Sequence, residues 1–455
     1  MAAVVAGVLV AVPAGATSLH DGGSGDRGVA ARRGGSGWSA PAALSPCPAQ
    51  GGARALFPSD SPTHGTGAGA IVFSASASCP GGPGARVSAL GPAGKPTAPQ
   101  APRDASGQQI APRGVLLASG APWGWILIAG SRPAVPSDEL VIQGPAAGPF
   151  SVLHQAPGTP TAIARGYLGD VALASASPAQ AMSVQLERFY KTSLAAPVRT
   201  APAGSSAPGS PTLALDYRTD LLAVWPAHGV LYARFLPTHH PPAAVQRLAP
   251  VSPGAHVTAL LSDDGRAIVA WSERRAGEQS VYIDISGAGV RFSAPRLVDR
   301  FAVPDALQDP GASPLLTRLS SEGVVMAWAG ADAGRWSVRV APVELTGVRP
   351  ATTIAPAGRN ALLADIAPGP QGEVLALWGE PEAGAAGVPD PGRTALYAAP
   401  GFQAYPERIS FGEAEQLAGP GPAADASVAI DPDSDRALAL WRGAQGRIDY
   451  SIRVP

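Results

Sequence analysis

Short apolar runs, each opened by an Asp/Gly turn, punctuate this chain. The clearest is Arg266 to Trp271, Arg-Ala-Ile-Val-Ala-Trp, which follows Asp263, Asp264 and Gly265. Copies stand at Glu322 to Trp328, Glu373 to Trp378 and Arg436 to Trp441, a looser one at Asp220 to Trp225, and one without the Trp at Asp170 to Ser175. Runs this short, rich in Val, Ile, Leu and Trp, predict strands rather than helices. Ala267, Ile268, Val269, Ala270 and Trp271 are apolar on both faces. A strand of that kind needs cover on both sides, so the pattern predicts small sheets stacked one against the next.

The ends of these runs, Phe73, Trp125, Ser175, Trp225, Trp271, Trp328, Trp378 and Trp441, recur about every 50 residues, the period of propeller blades. The expected fold is therefore all-β, a β-propeller of four-stranded blades. Eight runs give eight blades, or seven if one of the two weakest, Gly69 to Ala75 and Trp123 to Gly130, is irregular. The fifth unit parses as Val257 to Ser262, Arg266 to Ser272, Ser280 to Ser286 and Phe292 to Val298, with Gly and Pro in the gaps. The last unit supplies Ser427 to Ile430, Arg436 to Trp441 and Arg447 to Val454, then stops one strand short. Trp38-Ser39-Ala40-Pro41-Ala42-Ala43-Leu44 matches Phe292-Ser293-Ala294-Pro295-Arg296-Leu297-Val298. The N-terminal segment is thus expected to complete the last blade and remove two open sheet edges.

Before that segment, residues 1–16 carry an apolar run ending in Ala14-Gly15-Ala16, the pattern of a secretory signal peptide without its basic start, and residues 17–37 read as a flexible linker. Residues 38–455 form the propeller. The chain is expected to be exported. No later run reaches the roughly 18 apolar residues that span a bilayer. Hydrophobic residues make up 45% and charged ones 15% of the chain, which suits an ordered domain despite 55 Gly and 49 Pro. A net charge of −1 gives no field to draw nucleic acid.

The motif Asp-x-x-Gly-x-Ala-x-x-x-Trp, carried by Asp263 or Asp264 with Gly265, Ala267 and Trp271, resembles secreted bacterial β-propeller repeat proteins of the broad sialidase-like and WD40-like kind. The resemblance covers residues 38–455 and implies architecture alone. The sialidase Asp box, S-x-D-x-G-x-x-W, is not matched, because Ser262, Asp264 and Gly265 lack the intervening residue and Trp271 lies too far on. The quinoprotein dehydrogenase phrase with Thr-Gly-Lys before its Trp is missing too.

Candidate chemistry is sparse. Asp431, Asp433 and Asp435 alternate as calcium ligands do, but Arg436 stands where the loop needs Gly and Arg442 where it needs Glu, so a solvated turn is expected. His239 and His240 lack a third and fourth zinc ligand and read as a loop. The repeated Trp residues read as packing between blades rather than a stacking platform for sugars. Cofactor and metal are expected to be none, and no catalytic residue is nominated.

Strand order puts Cys47 and Cys79 on one face of neighbouring units, and export makes a disulfide between them the expectation. The long loops 300–313 and 380–393 emerge on that same face and gather Asp305, Asp309, Glu380, Glu382 and Asp390. Function concentrates on such loops, and their acids favour a cationic or hydroxyl-rich ligand. The function expected is a secreted, monomeric, non-catalytic binding or scaffold module for an extracellular glycan or protein. The alternative is a glycan-active hydrolase or lyase.

Overall fold

A computed structural model describes residues 37–57, 69–91, 94–120, 125–165, 171–177, 180–187, 198–199, 211–252, 254–262, 265–287, 291–304, 314–319, 323–355, 358–383, 389–403, 408–431 and 434–454. Residues 1–16, read above as a signal peptide, residues 17–36, read as a linker, and Asp263, Asp264, Trp123 and Asp433 lie outside them. Within the described residues the strands form eight antiparallel sheets, numbered here 1 to 8 from the sheet that starts at Arg54. No helix is long and apolar enough to cross a membrane among the described residues.

Sheet 5 shows why these residues form these elements. Its strands run His256–Leu261, Ala267–Arg275, Glu278–Ile285 and Arg296–Ala302, in that spatial order. Ala267 to Glu273 is buried without interruption. Ala267, Val269 and Trp271 pack towards sheet 4, and Ile268 and Ala270 towards sheet 6. Both faces of the strand are thus covered, which accounts for the lost alternation. Between its second and third strands the chain reverses over Ala276 and Gly277, both at positive φ (49° and 83°). His228 with Gly229 and Ala333 with Gly334 do the same in sheets 4 and 6, the backbone that two-residue hairpins need to match strand twist.

The outer strand corrects the sequence reading: it spans Arg296–Ala302 rather than Phe292 to Val298. Pro295 cannot donate to a ladder, so pairing begins after it. Phe292 instead packs its ring into the cluster between sheets 4 and 5. The N-terminal phrase behaves alike. Ala42–Pro48 pairs antiparallel with Arg447–Arg453 as the fourth strand of sheet 8. Its ladder begins at Ala42, after Pro41, and shifts register between Ala43 and Pro48, while Trp38 makes an isolated bridge to Arg453 and packs between sheets 7 and 8. Ser39 fastens the segment: its N–H donates to the Ile452 carbonyl (2.8 Å), its Oγ accepts from the Ile452 N–H (3.0 Å), and its carbonyl accepts from Ser451 Oγ (2.7 Å).

Sheet 1, one of the two weak units, has three strands, Arg54–Leu56, Ala70–Ala75 and Gly84–Ala89. Its outer position holds single bridges at Pro96 and Gln100, where Pro96 and Pro99 prevent a continuous ladder. In the other weak unit the strand is Trp125–Ser131, and Trp125 is 36% exposed rather than a core ring.

The first strands of the sheets touch in chain order from sheet 1 to sheet 8, and Ala424–Ile430 of sheet 8 touches Arg54–Leu56 of sheet 1. Apolar clusters fill each junction of consecutive sheets. A further one joins the last to the first through Leu438, Leu440 and Ile448 against Ile71 and Phe73. The order of contacts is therefore cyclic.

Candidate functional site

In sheet 7 the hairpin that two residues close in sheets 4 to 6 is drawn out into a ribbon. Its second strand is Glu373–Ala383 and its third Pro389–Gln403. Glu382 lies opposite Asp390 and Ala383 opposite Pro389, so the described residues of the predicted loop 380–393 belong to strands. Proline and glycine gave the segment its loop-like look. Pro381 is accommodated at a register shift, where an interrupted ladder tolerates its missing N–H.

The ribbon decides what its acids do. Glu380 is 5% exposed; its Oε1 accepts from Trp378 Nε1 (3.1 Å) and its Oε2 from Arg359 Nη1 (3.0 Å). Arg359 also reaches the Tyr397 hydroxyl (3.4 Å), and Tyr397 stacks on Trp378 at 6.0 Å between ring centres. Glu382 pairs with Arg393 (2.6 Å), and Asp390 Oδ1 accepts from the Gly392 N–H (2.9 Å). Glu380 and Glu382 are thereby matched by cations, which leaves the ribbon an array of donors and acceptors rather than an acidic field. Asp305 and Asp309 lie outside the described residues.

Cys47 sits on the outer strand of sheet 8, and Cys79 on the turn between Ala70–Ala75 and Gly84–Ala89 of sheet 1. Both are free thiols, packed in the cluster that joins the two sheets. Burial pushes the Cys47 thiol up from its ordinary value, and the Cys79 side chain beside it pushes the same way.

Asp431 turns to Arg436 (2.9 Å), and its N–H donates to the Arg436 carbonyl (2.7 Å), as a turn does. His239 and His240 are exposed. The repeated Trp rings are buried: Trp225, Trp271, Trp328, Trp378 and Trp441 are each at most 3% exposed. Each packs against the preceding sheet, as Trp328 does on Ala270 and Trp378 on Ala327.

Two features escaped sequence reading. A cleft of about 640 Å³ opens between the outer strands of sheets 5 and 6, lined by Arg296, Asp299, Arg339, Thr346 and Arg349. Asp299 Oδ2 accepts there from Trp328 Nε1 (2.9 Å) and Arg339 Nη1 (2.7 Å). Nothing in local spacing ties these three residues, which stand on three strands of two sheets. The second feature lies among the first strands. Two cavities of about 430 and 310 Å³ are lined between them by residues of all eight sheets, with Arg165 common to both. On the first strand of sheet 7 Asp365 accepts from the Ile366 N–H (2.8 Å) and the Val428 N–H (3.0 Å), joining sheet 7 to sheet 8. Burial raises its carboxyl above the usual range, and Arg54 opposes that.

No family model matches the chain, and no curated protein matches it. Among solved structures it is similar to an ulvan lyase of a polysaccharide lyase family, at 10% identity over 90% of this chain and 94% of that one (TM-score 0.47). It is also similar to a protein of unknown function from Dyadobacter fermentans, at 13% identity over 66% and 94% (TM-score 0.37). A Hadza microbial sialidase matches at 9% identity over 69% and 73% (TM-score 0.35). Likenesses this distant carry no activity to this chain.

Proposed function

We propose that the chain is an eight-bladed β-propeller, exported and closed by its N-terminal strand, that works as a monomeric non-catalytic binding module. Its ligand surface is the end of the molecule bearing the sheet 7 ribbon. The cyclic order of first strands, with a cluster joining sheet 8 to sheet 1, supports the propeller. The apolar run Ala2 to Ala16 supports export.

The observation that carries the binding role is the ribbon itself. Where sheets 4 to 6 turn in two residues, sheet 7 extends a hairpin braced at its base by buried Glu380 and Trp378, half-buried Tyr397 and exposed Arg359. A projection held on a rigid base suits recognition, since little order remains to be imposed on binding. By strand order the outer strand of sheet 5, ending at Ala302, leaves at the same end; Asp305 and Asp309 beyond it lie outside the described residues. Paired carboxylates and guanidiniums beside Asp390 suit a hydroxyl-rich ligand, a glycan or a glycosylated protein.

The test is a glycan array probed with the purified protein, with product detection on every positive. Binding without turnover is expected. Replacing residues 382–393 by Asn-Gly should lower that binding about tenfold or more while leaving the melting profile in place. Unchanged binding moves the site off the ribbon, and released product establishes the hydrolase or lyase reading instead.

A further inference from the structure

Of 455 residues two are cysteine, and both stand at the seam where sheet 8 meets sheet 1. The seam is built by residues 48–50, which cross from one sheet to the other. The Ala49 N–H donates to the Gly446 carbonyl of sheet 8 (2.7 Å), and the Gln50 N–H donates to the Ser74 carbonyl of sheet 1 (2.8 Å). The Pro48 carbonyl accepts both from the Ser76 N–H (2.9 Å) and from Cys79 Sγ (3.5 Å). Cys47 is the residue before Pro48, and its side chain meets that of Cys79 within an apolar cluster containing Leu44, Phe73 and Ile448. Residues 32 apart in sequence are held together by hydrogen bonds that do not involve Cys47.

We propose that Cys47 and Cys79 form a disulfide site whose oxidation latches the closing strand of sheet 8 to sheet 1. The seam differs from the other junctions, because there the outer strand of one sheet comes from the opposite end of the chain and is held by hydrogen bonds and packing. A bond between Cys47 and Cys79 restrains that strand when its ladder opens. It shortens the loop through which the unfolded chain must return to close the ring.

The oxidant is a low-molecular-weight disulfide such as oxidised glutathione. The Cys47 thiolate, the less buried of the two, attacks one glutathione sulfur. This forms a mixed disulfide and expels the other glutathione as a thiolate. The Cys79 thiolate then attacks Cys47 Sγ, breaking the mixed disulfide and expelling the second glutathione. Two protein thiols are oxidised to one disulfide, one glutathione disulfide is reduced to two thiols, and the protons of Cys47 and Cys79 end on the glutathiones. Because the Cys47 thiol is raised by burial, the first step should speed up as pH rises through the thiol range.

The full chain, incubated with excess oxidised glutathione, is alkylated, digested without reductant and mapped by mass spectrometry. A Cys47–Cys79 peptide pair two hydrogens lighter than its parts is expected. So is a fall of roughly a few degrees in melting temperature when reductant is added, absent from the Cys47→Ser/Cys79→Ala chain. Two alkylated thiols, or stable glutathione adducts on either residue, overturn the site. A cross-link whose reduction leaves melting unchanged overturns its role as a latch. The mapping uses the native chain and does not depend on the variants folding.

Discussion

Glu139 lies on the third strand of sheet 2, Asp138–Pro145, and is 1% exposed. Ser175 Oγ of sheet 3 donates to its Oε2, while its Oε1 meets no partner among the described residues. Burial raises the carboxyl, and the Ser175 bond opposes that without cancelling it. A carboxyl raised in the folded state contributes its full stability below the unfolded value of about 4.3 and loses it as pH climbs through the folded value. Glu139→Gln keeps the acceptor for Ser175 and removes the charge. The variant should melt higher than the parent by a margin that widens from about pH 4 to about pH 8. A margin constant with pH, or one that shrinks, would show that Glu139 ionises without penalty. Asp216, Asp284 and Asp449 are displaced upward by burial in the same sense.

The hairpins of sheets 4 to 6 share one turn geometry and differ in what occupies its first position. At Ala276 and Ala333 a residue with a Cβ holds positive φ (49° and 48°), which costs an L-residue about 1 kcal/mol. Gly277 follows at φ 83°, with open space where a Cβ would stand, so a substitution there is opposed by backbone strain alone. Gly277→Ala should therefore destabilise by about 1 kcal/mol, and Ala276→Asn should stabilise by a similar or smaller amount, since Asn-Gly is the favoured pair in such turns. Thermal melting of the two variants checks both signs. Equal melting of Gly277→Ala and parent would mean that the turn relaxes to another form. The sheet 7 ribbon departs from this economy, and its Glu380–Arg359 pair closes one side of the base where Trp378 and Tyr397 stack.

At the scale of the molecule, stability is shared among junctions of sheets, five of which set a buried Trp ring against the sheet before it. Breaking the cycle anywhere exposes the two faces of a junction. The seam is the place where a short deletion can do so. A chain beginning after Ser45 lacks Trp38, Ser39 and the start of Ala42–Pro48, and leaves Arg447–Arg453 as an open edge. It should melt lower than the parent and self-associate through that edge, as read by melting and light scattering. Unchanged melting and a monodisperse chain would remove the N-terminal strand from any role in closure.

The local pattern determined the β class, the second strand of nearly every sheet and the burial of the repeated Trp rings, because strand geometry sends successive side chains to opposite faces and a run apolar on both must be covered on both. It also identified the segment that completes sheet 8, since Trp38-Ser-Ala-Pro and Phe292-Ser-Ala-Pro serve one purpose: an aromatic plug, then an outer strand starting after the proline. The exact start was misplaced because apolar character marks the plug as strongly as the strand. The tertiary structure alone decided which partners the carboxylates meet. Glu380 finds Arg359, Asp299 finds Arg339 and Glu139 finds Ser175 across 21, 40 and 36 residues. Hydrophobic periodicity repeats within a few residues and is written locally, whereas these partners meet through strand register and the packing of one sheet on the next, which residue types in order do not encode.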